Sequence, residues 1–242
     1  MPDAAVTEAP LQFGEGGRLF GILTSPATAP TGARPVFVFL SAGLLHRVGP
    51  YRLHVRLART LARLGFASLR VDLAGMGDSP PHDAPSYRAS VDADFAAVLQ
   101  AIDAHAGPAR VVLAGLCTGA DNATLLALRE PRVAGLVLLD PICYPDRGYA
   151  TRVVAAKYGD PSRYAAWLRR RVRALLQPAP EGTAAAPSVD PLALRDLPSL
   201  EQVREAFAAV RDRGGRVMAV YTEYANGYYN RQGQLGRVLH LP

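Results

Sequence analysis

Four apolar runs constrain this chain more than any other feature of its sequence: PVFVFL (35–40), FASLRVDL (66–73), ARVVLAGL (109–116) and VAGLVLLD (133–140). A strand with one face in water alternates polar and apolar residues, whereas an almost uninterrupted apolar run fits a strand buried on both faces. Helical patterns separate them. Over residues 51–64, Leu53, Leu57, Leu61 and Leu64 recur with Ala58 and Ala62 at steps of three and four, and Gly65 follows as a stop signal. Residues 88–105 and 118–129 read as two further helices. Buried strands alternating with helices specify an α/β protein with a mostly parallel sheet and helices on both faces.

Ahead of this unit, residues 11–24 alternate around Gly16-Gly17, the pattern of a hairpin. From Pro141 to about Pro198 the alternation stops, giving helical pieces broken by the loop QPAPEGTAAAPSVDP. It resumes with a helix over 199–212, a Gly214-Gly215 turn, a strand over 216–222 and a last strand-like GRVLHLP. The expected organisation is therefore a core of residues 1–140 and 199–242 with a helical lid inserted at 141–198.

The strand 109–116 runs into Gly115-Leu116-Cys117-Thr118-Gly119 and leaves as a helix. In this setting G-x-C-x-G describes a nucleophile elbow: the glycines allow a strained turn and close strand-helix packing, and hold the middle side chain at the carboxyl edge of the sheet. The amino end of the following helix favours a negative charge there. A buried structural cysteine in a Gly-rich turn is the alternative. Strand 35–40 ends at Ser41-Ala42-Gly43-Leu44-Leu45-His46, a loop placed to lend a backbone N–H to an oxyanion hole, with Thr118 N–H as the second donor.

The stretches SAGLLHRVGP, RVDLAGMGDS, GLCTGA and LVLLDP resemble the α/β-hydrolase superfamily, and within it the serine-aminopeptidase-like hydrolases, including those described as exosortase-system-associated. The resemblance spans essentially the whole chain, is strongest over 35–144, and implies an α/β-hydrolase fold. It gives Cys117 the nucleophile role, where most members carry Ser, and makes Leu44 and Thr118 the oxyanion donors. It also places the acid in a turn after strand 216–222, where this chain has Ala225. Asp140 at the end of the preceding strand is the substitute acid, with Glu223 and Asn226 as nearby alternatives and a structural capping role for Asp140 also open. The family's histidine lies in a loop beyond the last strand with a helix after it, so His240 reads as a strand residue. His46, in the oxyanion loop, is the candidate base. His54, His82 and His105 read as solvated.

Asp72 and Asp78 read as loop anchors, and Asp121 as a helix-face carboxylate. Cys143 follows the strand beside the elbow strand and could pair with Cys117 on oxidation, or lie buried and inert. Arg169 and Arg173 fall on one face of the lid helix 162–176, with Trp167 and the apolar residues largely on another, and could receive a coenzyme A phosphate or an acidic carrier protein, or simply face solvent. Tyr224, Tyr228 and Tyr229 could line a pocket or pack a loop.

Charge narrows the partners. Of 27 basic residues only Lys157 is lysine, and the net charge is +6. Without a long basic run or a nucleic-acid motif, no nucleic-acid partner is expected. No signal peptide, membrane span or disulfide framework is visible, so the expected location is the cytoplasm. The sequence predicts an acyl-transfer hydrolase of esters or thioesters, a thioesterase, esterase or acyltransferase, working through a Cys117 acyl-enzyme without a cofactor or metal on a small acyl substrate, carried by coenzyme A or a carrier protein in one version. The rivals are a non-catalytic binding protein of the same fold and a C-terminally shortened form of an active enzyme.

Overall fold

The computed structural model describes residues 6–28, 34–43, 45–81, 83–158, 165, 168, 169, 172 and 196–240. By internal packing the chain forms two units, one of residues 1–142 and 196–222, the other of residues 143–195 and 223–242.

The first unit is a seven-stranded sheet in the order β1-β2-β4-β3-β5-β6-β7. Strands β1 (Val6–Phe13) and β2 (Leu19–Pro26) form the expected hairpin, turned by a short 3₁₀ segment at Glu15–Gly17. β2 runs antiparallel to β4 (Ser68–Asp72). β3 (Val36–Leu40), β5 (Val111–Leu116), β6 (Val133–Leu139) and β7 (Arg216–Val220) continue in parallel, as the apolar runs predicted. Each parallel step needs a crossover, which helices supply.

Helix α1 (Leu53–Arg63) packs on β4 and β2. Helix α2 (Tyr87–Ala106) opens on Ser86, whose hydroxyl caps the Ala89 N–H at 3.1 Å. Helices α3 (Thr118–Arg129) and α5 (Leu200–Asp212) pack on each other and on the β3, β5, β6 and β7 side of the sheet; Ser199 and Gln202 form a capping box at the start of α5. Val38, Leu40, Leu113, Leu136 and Leu138 are fully buried among them.

The leucine stripe of α1 does not become core. The helix buries Val55, Ala58 and Ala62, and His54, while Leu57 and Leu64 stay exposed. Small residues let α1 approach Phe39 and Ala114 closely. The bulkier Leu53, Leu57 and Leu61 then line one wall of an open apolar groove of about 180 Å³, with Phe37, Ala114, Leu116, Val137 and Leu139 opposite. Along the same sheet face, Met218 and Val220 of the edge strand β7 are exposed.

In the second unit, α4 (Tyr149–Tyr158) is the first helix after β6. Tyr149 donates from its hydroxyl to Gly227 O at 2.5 Å, and Arg152 donates to Asn230 Oδ1 at 2.8 Å and Asp146 Oδ1 at 2.6 Å. The hydrogen bond from Arg152 holds the Asp146 carboxyl below its ordinary range. Most of the anticipated lid helix 162–176, with Trp167 and Arg173, lies outside the described residues; Arg169, which is described, donates to Ala165 O.

The chain's last element corrects the reading of GRVLHLP as a strand: residues Gln234–Leu239 form a helix, α6. Gly233 enters it at φ +72°, and Gln234, Leu235 and Leu239 fall on one buried side, a helical rather than a two-residue period. The buried Gln234 amide donates to Tyr144 O and Tyr228 O, tying this helix to the insertion. His240 is accordingly a helix C-cap at φ +56°. Among the described residues no helix is long and apolar enough to cross a membrane.

Candidate active site

The backbone builds the elbow as the glycine spacing predicted. Cys117 leaves β5 at φ +52° and ψ −114°, a conformation costly for a side chain-bearing residue, and α3 starts at the next residue. Its N–H still belongs to the sheet, donating to Leu139 O at 2.9 Å, while its carbonyl accepts from Ala120 and Asp121 N–H as the first acceptor of the helix. A Cβ at Gly115 would fall on Gly119 O, and one at Gly119 would fall on Leu40 O and Ser41 O. The two glycines thus let helix, elbow strand and oxyanion loop converge. Cys117 is half-buried and a free thiol. Among the described residues its sulfur has no hydrogen-bond partner. The amides of Thr118 and Gly119 precede the first intrahelical bonds, so their N–H groups are open to an incoming oxyanion.

The loop after β3, expected to supply an oxyanion donor, meets the elbow. Gly43, at φ +50°, donates its N–H to Thr118 Oγ1 at 2.6 Å. Leu44, the expected donor, lies outside the described residues. The rest of the loop is held from behind. Ser41 Oγ donates to His46 O at 3.2 Å, and buried Asp72 accepts from Arg47 N–H at 2.5 Å and Asp78 N–H at 3.1 Å. Asp72 also pairs with the Arg47 guanidinium, which bridges to Asp78 at 2.7 Å and covers the Phe20 ring. Asp72 and Asp78 are loop anchors here.

His46 is exposed on that loop, and its Nδ1 accepts a long hydrogen bond of 3.4 Å from Val48 N–H. His54, expected at the surface, is buried instead, 3% exposed and against Phe39, with the loop residue Gly49 packed on its ring. Burial pushes its pKa down to about 4. The reason is the rotation of α1 that puts its small face inward. His105 stays exposed and bonds Ala101 O, and His82 lies outside the described residues.

Asp140 leaves β6 beside Cys117, since Leu116 pairs with Leu139 in the parallel register. It too has positive φ, +48°, and is buried. Its carboxylate accepts from Thr222 N–H at 2.6 Å and Thr222 Oγ1–H at 2.7 Å. Asp121, one turn into α3, accepts from Ile142 N–H at 3.3 Å. Glu223, Tyr224, Ala225, Tyr228, Tyr229, Cys143 and His240 belong to the second unit, as does Asn226. There Ala225 and Tyr228 are buried, Glu223 and Tyr224 are exposed, and Cys143 is a buried free thiol. Among the described residues no cluster of three His, Cys, Asp or Glu side chains is placed to hold a metal ion.

A mostly parallel sheet with an antiparallel start, and a strained strand-helix turn at the end of the inner strand β5, are the features of an α/β hydrolase fold. The chain belongs to the hydrolase family described as serine aminopeptidase, S33, whose model matches residues 32–211. A search of curated sequences found no match. Among solved structures, the chain is similar to a cold-adapted esterase from an Arctic intertidal metagenomic library, at 22% identity over 57% of this chain and 62% of that one, with a TM-score of 0.43. It spans less than two thirds of that esterase. A thermostable esterase from Pseudomonas putida aligns at 17% identity over 99% and 81% of the two chains with a TM-score of 0.48. The esterase Est22 aligns at 16% over 98% and 77%, with a TM-score of 0.50, a likeness of fold.

Proposed function

We propose that the protein is an acyl-transfer hydrolase whose nucleophile is Cys117. The observation that carries this reading is the Cys117 backbone at φ +52°, a strain that a purely structural cysteine has no need to hold. In the proposed cycle, the Cys117 thiolate adds to an ester or thioester carbonyl, and the Thr118 and Leu44 amides receive the oxyanion. Collapse of the adduct expels the alkoxide or thiolate, which leaves protonated, and yields an S-acyl enzyme. Water, or an acceptor alcohol, amine or thiol, then takes the acyl group. A thiol is partly ionised near neutral pH and depends less on a general base than a serine hydroxyl does. Exchange of one thioester for another is also nearly balanced in energy, which favours thioester substrates. A coenzyme A or carrier-protein thioester is the version in which Arg169 and Arg173 would meet a phosphate. In this reading His46 on the same loop is the candidate base, and Asp140 stands beside the nucleophile as part of its support.

The test is intact mass after brief incubation with p-nitrophenyl acetate and with an S-acetyl thioester. An acetyl adduct on Cys117, lost in Cys117→Ala, is expected. No adduct, with Cys117 alkylated no faster than Cys143, would instead favour a binding protein of the same fold, a reading consistent with the unpartnered thiol.

A further inference from the structure

We propose that the Thr118 side chain, and not only its amide, is a positioning group for the oxyanion loop; the proposal rests on the acyl-transfer reading for its catalytic consequence. The loop tip has little else to hold it. Gly43 is exposed, sits at φ +50°, and has nothing within 4 Å of where a Cβ would be, so side-chain packing does not fix it. The anchors on Asp72 grip the loop further along, at Arg47. The turn formed by Leu45 N–H on Ala42 O at 2.9 Å closes the loop on itself without attaching it to the elbow.

Two connections join the loop base and tip to the helix that carries the nucleophile. Gly119 abuts Leu40 O and Ser41 O at the base, and Thr118 Oγ1 accepts the Gly43 N–H at 2.6 Å at the tip. The second is the only polar link of the two, and it depends on a hydroxyl. One residue thereby does two things: its N–H faces the site as an oxyanion donor, and its Oγ1 sets where the loop that brings the opposite donor begins. An oxyanion hole works only when its donors are fixed before charge develops, so a loose loop loses rate in the chemical step and not in nucleophile reactivity. The Gly43 N–H, already taken by Oγ1, is not free to receive an oxyanion.

The experiment compares wild type, Thr118→Val and Thr118→Ser. Valine keeps the shape and removes the acceptor; serine keeps the acceptor. Residue-resolved amide exchange at Gly43 is read first: valine should speed it roughly tenfold or more and serine should leave it near wild type. Turnover of p-nitrophenyl acetate and an S-acetyl thioester is read second. For valine, kcat should fall by roughly tenfold to a hundredfold with KM little changed, and serine should restore it. Iodoacetamide alkylation of Cys117, which needs no oxyanion hole, should stay within about twofold throughout. Unchanged Gly43 exchange in the valine variant overturns the proposal, and so does unchanged kcat in a protein that turns over. If exchange responds but wild type forms no acyl adduct, the hydroxyl tie stands and the acyl-transfer reading falls.

Discussion

Thr222 gives both of its donors to one carboxylate: its backbone N–H and its hydroxyl reach the two oxygens of Asp140 at 2.6 and 2.7 Å, while Asp140 N–H returns a bond to Val220 O at 2.8 Å. This reciprocal clasp fastens the carboxyl ends of β6 and β7 immediately beside the elbow. Hydrogen bonds to a charged group in a buried setting contribute about 1.5–3 kcal/mol each. Asp140→Ala should therefore lower stability by about 3 kcal/mol, seen as a fall in Tm of roughly 6–12 °C. Asp140→Asn keeps an acceptor for one donor and should lose about half as much. Alkylation of Cys117 at neutral pH should not change. A variant that keeps its Tm but loses ester turnover would move Asp140 from clasp to proton relay.

Strain at Cys117 predicts a trade between stability and reactivity. Glycine tolerates positive φ, so Cys117→Gly should abolish labelling and acyl transfer while raising stability by about 1 kcal/mol, or roughly 2–4 °C in Tm. Thermal melts of the two proteins check it. A Tm at or below wild type would mean that the side chain's packing outweighs the backbone cost.

Gly119→Ala should do the reverse. The added methyl has to displace the Leu40 and Ser41 carbonyls, backbone atoms at and just after the end of β3 that cannot rotate away as a side chain could. A loss of more than about 3 kcal/mol, or failure to fold, is expected in urea titration, against about 1 kcal/mol gained at an unobstructed helical glycine.

Burial of His54 makes stability depend on pH. Its folded-state pKa, about 4, lies below the ordinary value of 6.5, so between these values the unfolded chain binds a proton that the folded one refuses. The stabilisation is complete above pH 6.5 and is lost as pH falls toward 4, with a full size of about 3 kcal/mol. Urea midpoints measured from pH 7 to 4 should fall along this window, and His54→Leu should flatten the slope.

The inner strands β3, β4, β5 and β6 were legible because they are largely apolar on both faces and so announce themselves without alternation, while β1 and the edge strand β7 are more exposed; β5 and the start of α3 fell where the glycines put them. The elbow was equally legible, since its spacing is a steric requirement. The orientation of α1 was not. Leu53, Leu57 and Leu61 form the stronger stripe, yet Ala58 and Ala62 face the sheet because only small residues fit the distance to Phe39, a tertiary limit that periodicity does not encode. His54 was misplaced at the surface for the same reason. GRVLHLP was misread because a short apolar run carries too few residues to separate a two-residue period from a helical one, and the Gln234 bonds that fix it as a helix reach back to Tyr144. The contact between Gly43 and Thr118 joins residues 75 positions apart and leaves no local signal beyond the presence of a hydroxyl residue directly after Cys117.

The crowding around Gly115 and Gly119 divides the elbow into two kinds of position. The flanking sites are closed to variation by backbone atoms, whereas the side chain at position 117 is half-buried and makes no hydrogen bond among the described residues. Replacing the sulfur at position 117 by oxygen would leave the scaffold untouched. The turn therefore behaves as a socket, in which the presented side chain can be exchanged in a single mutational step while the geometry that presents it is inherited intact.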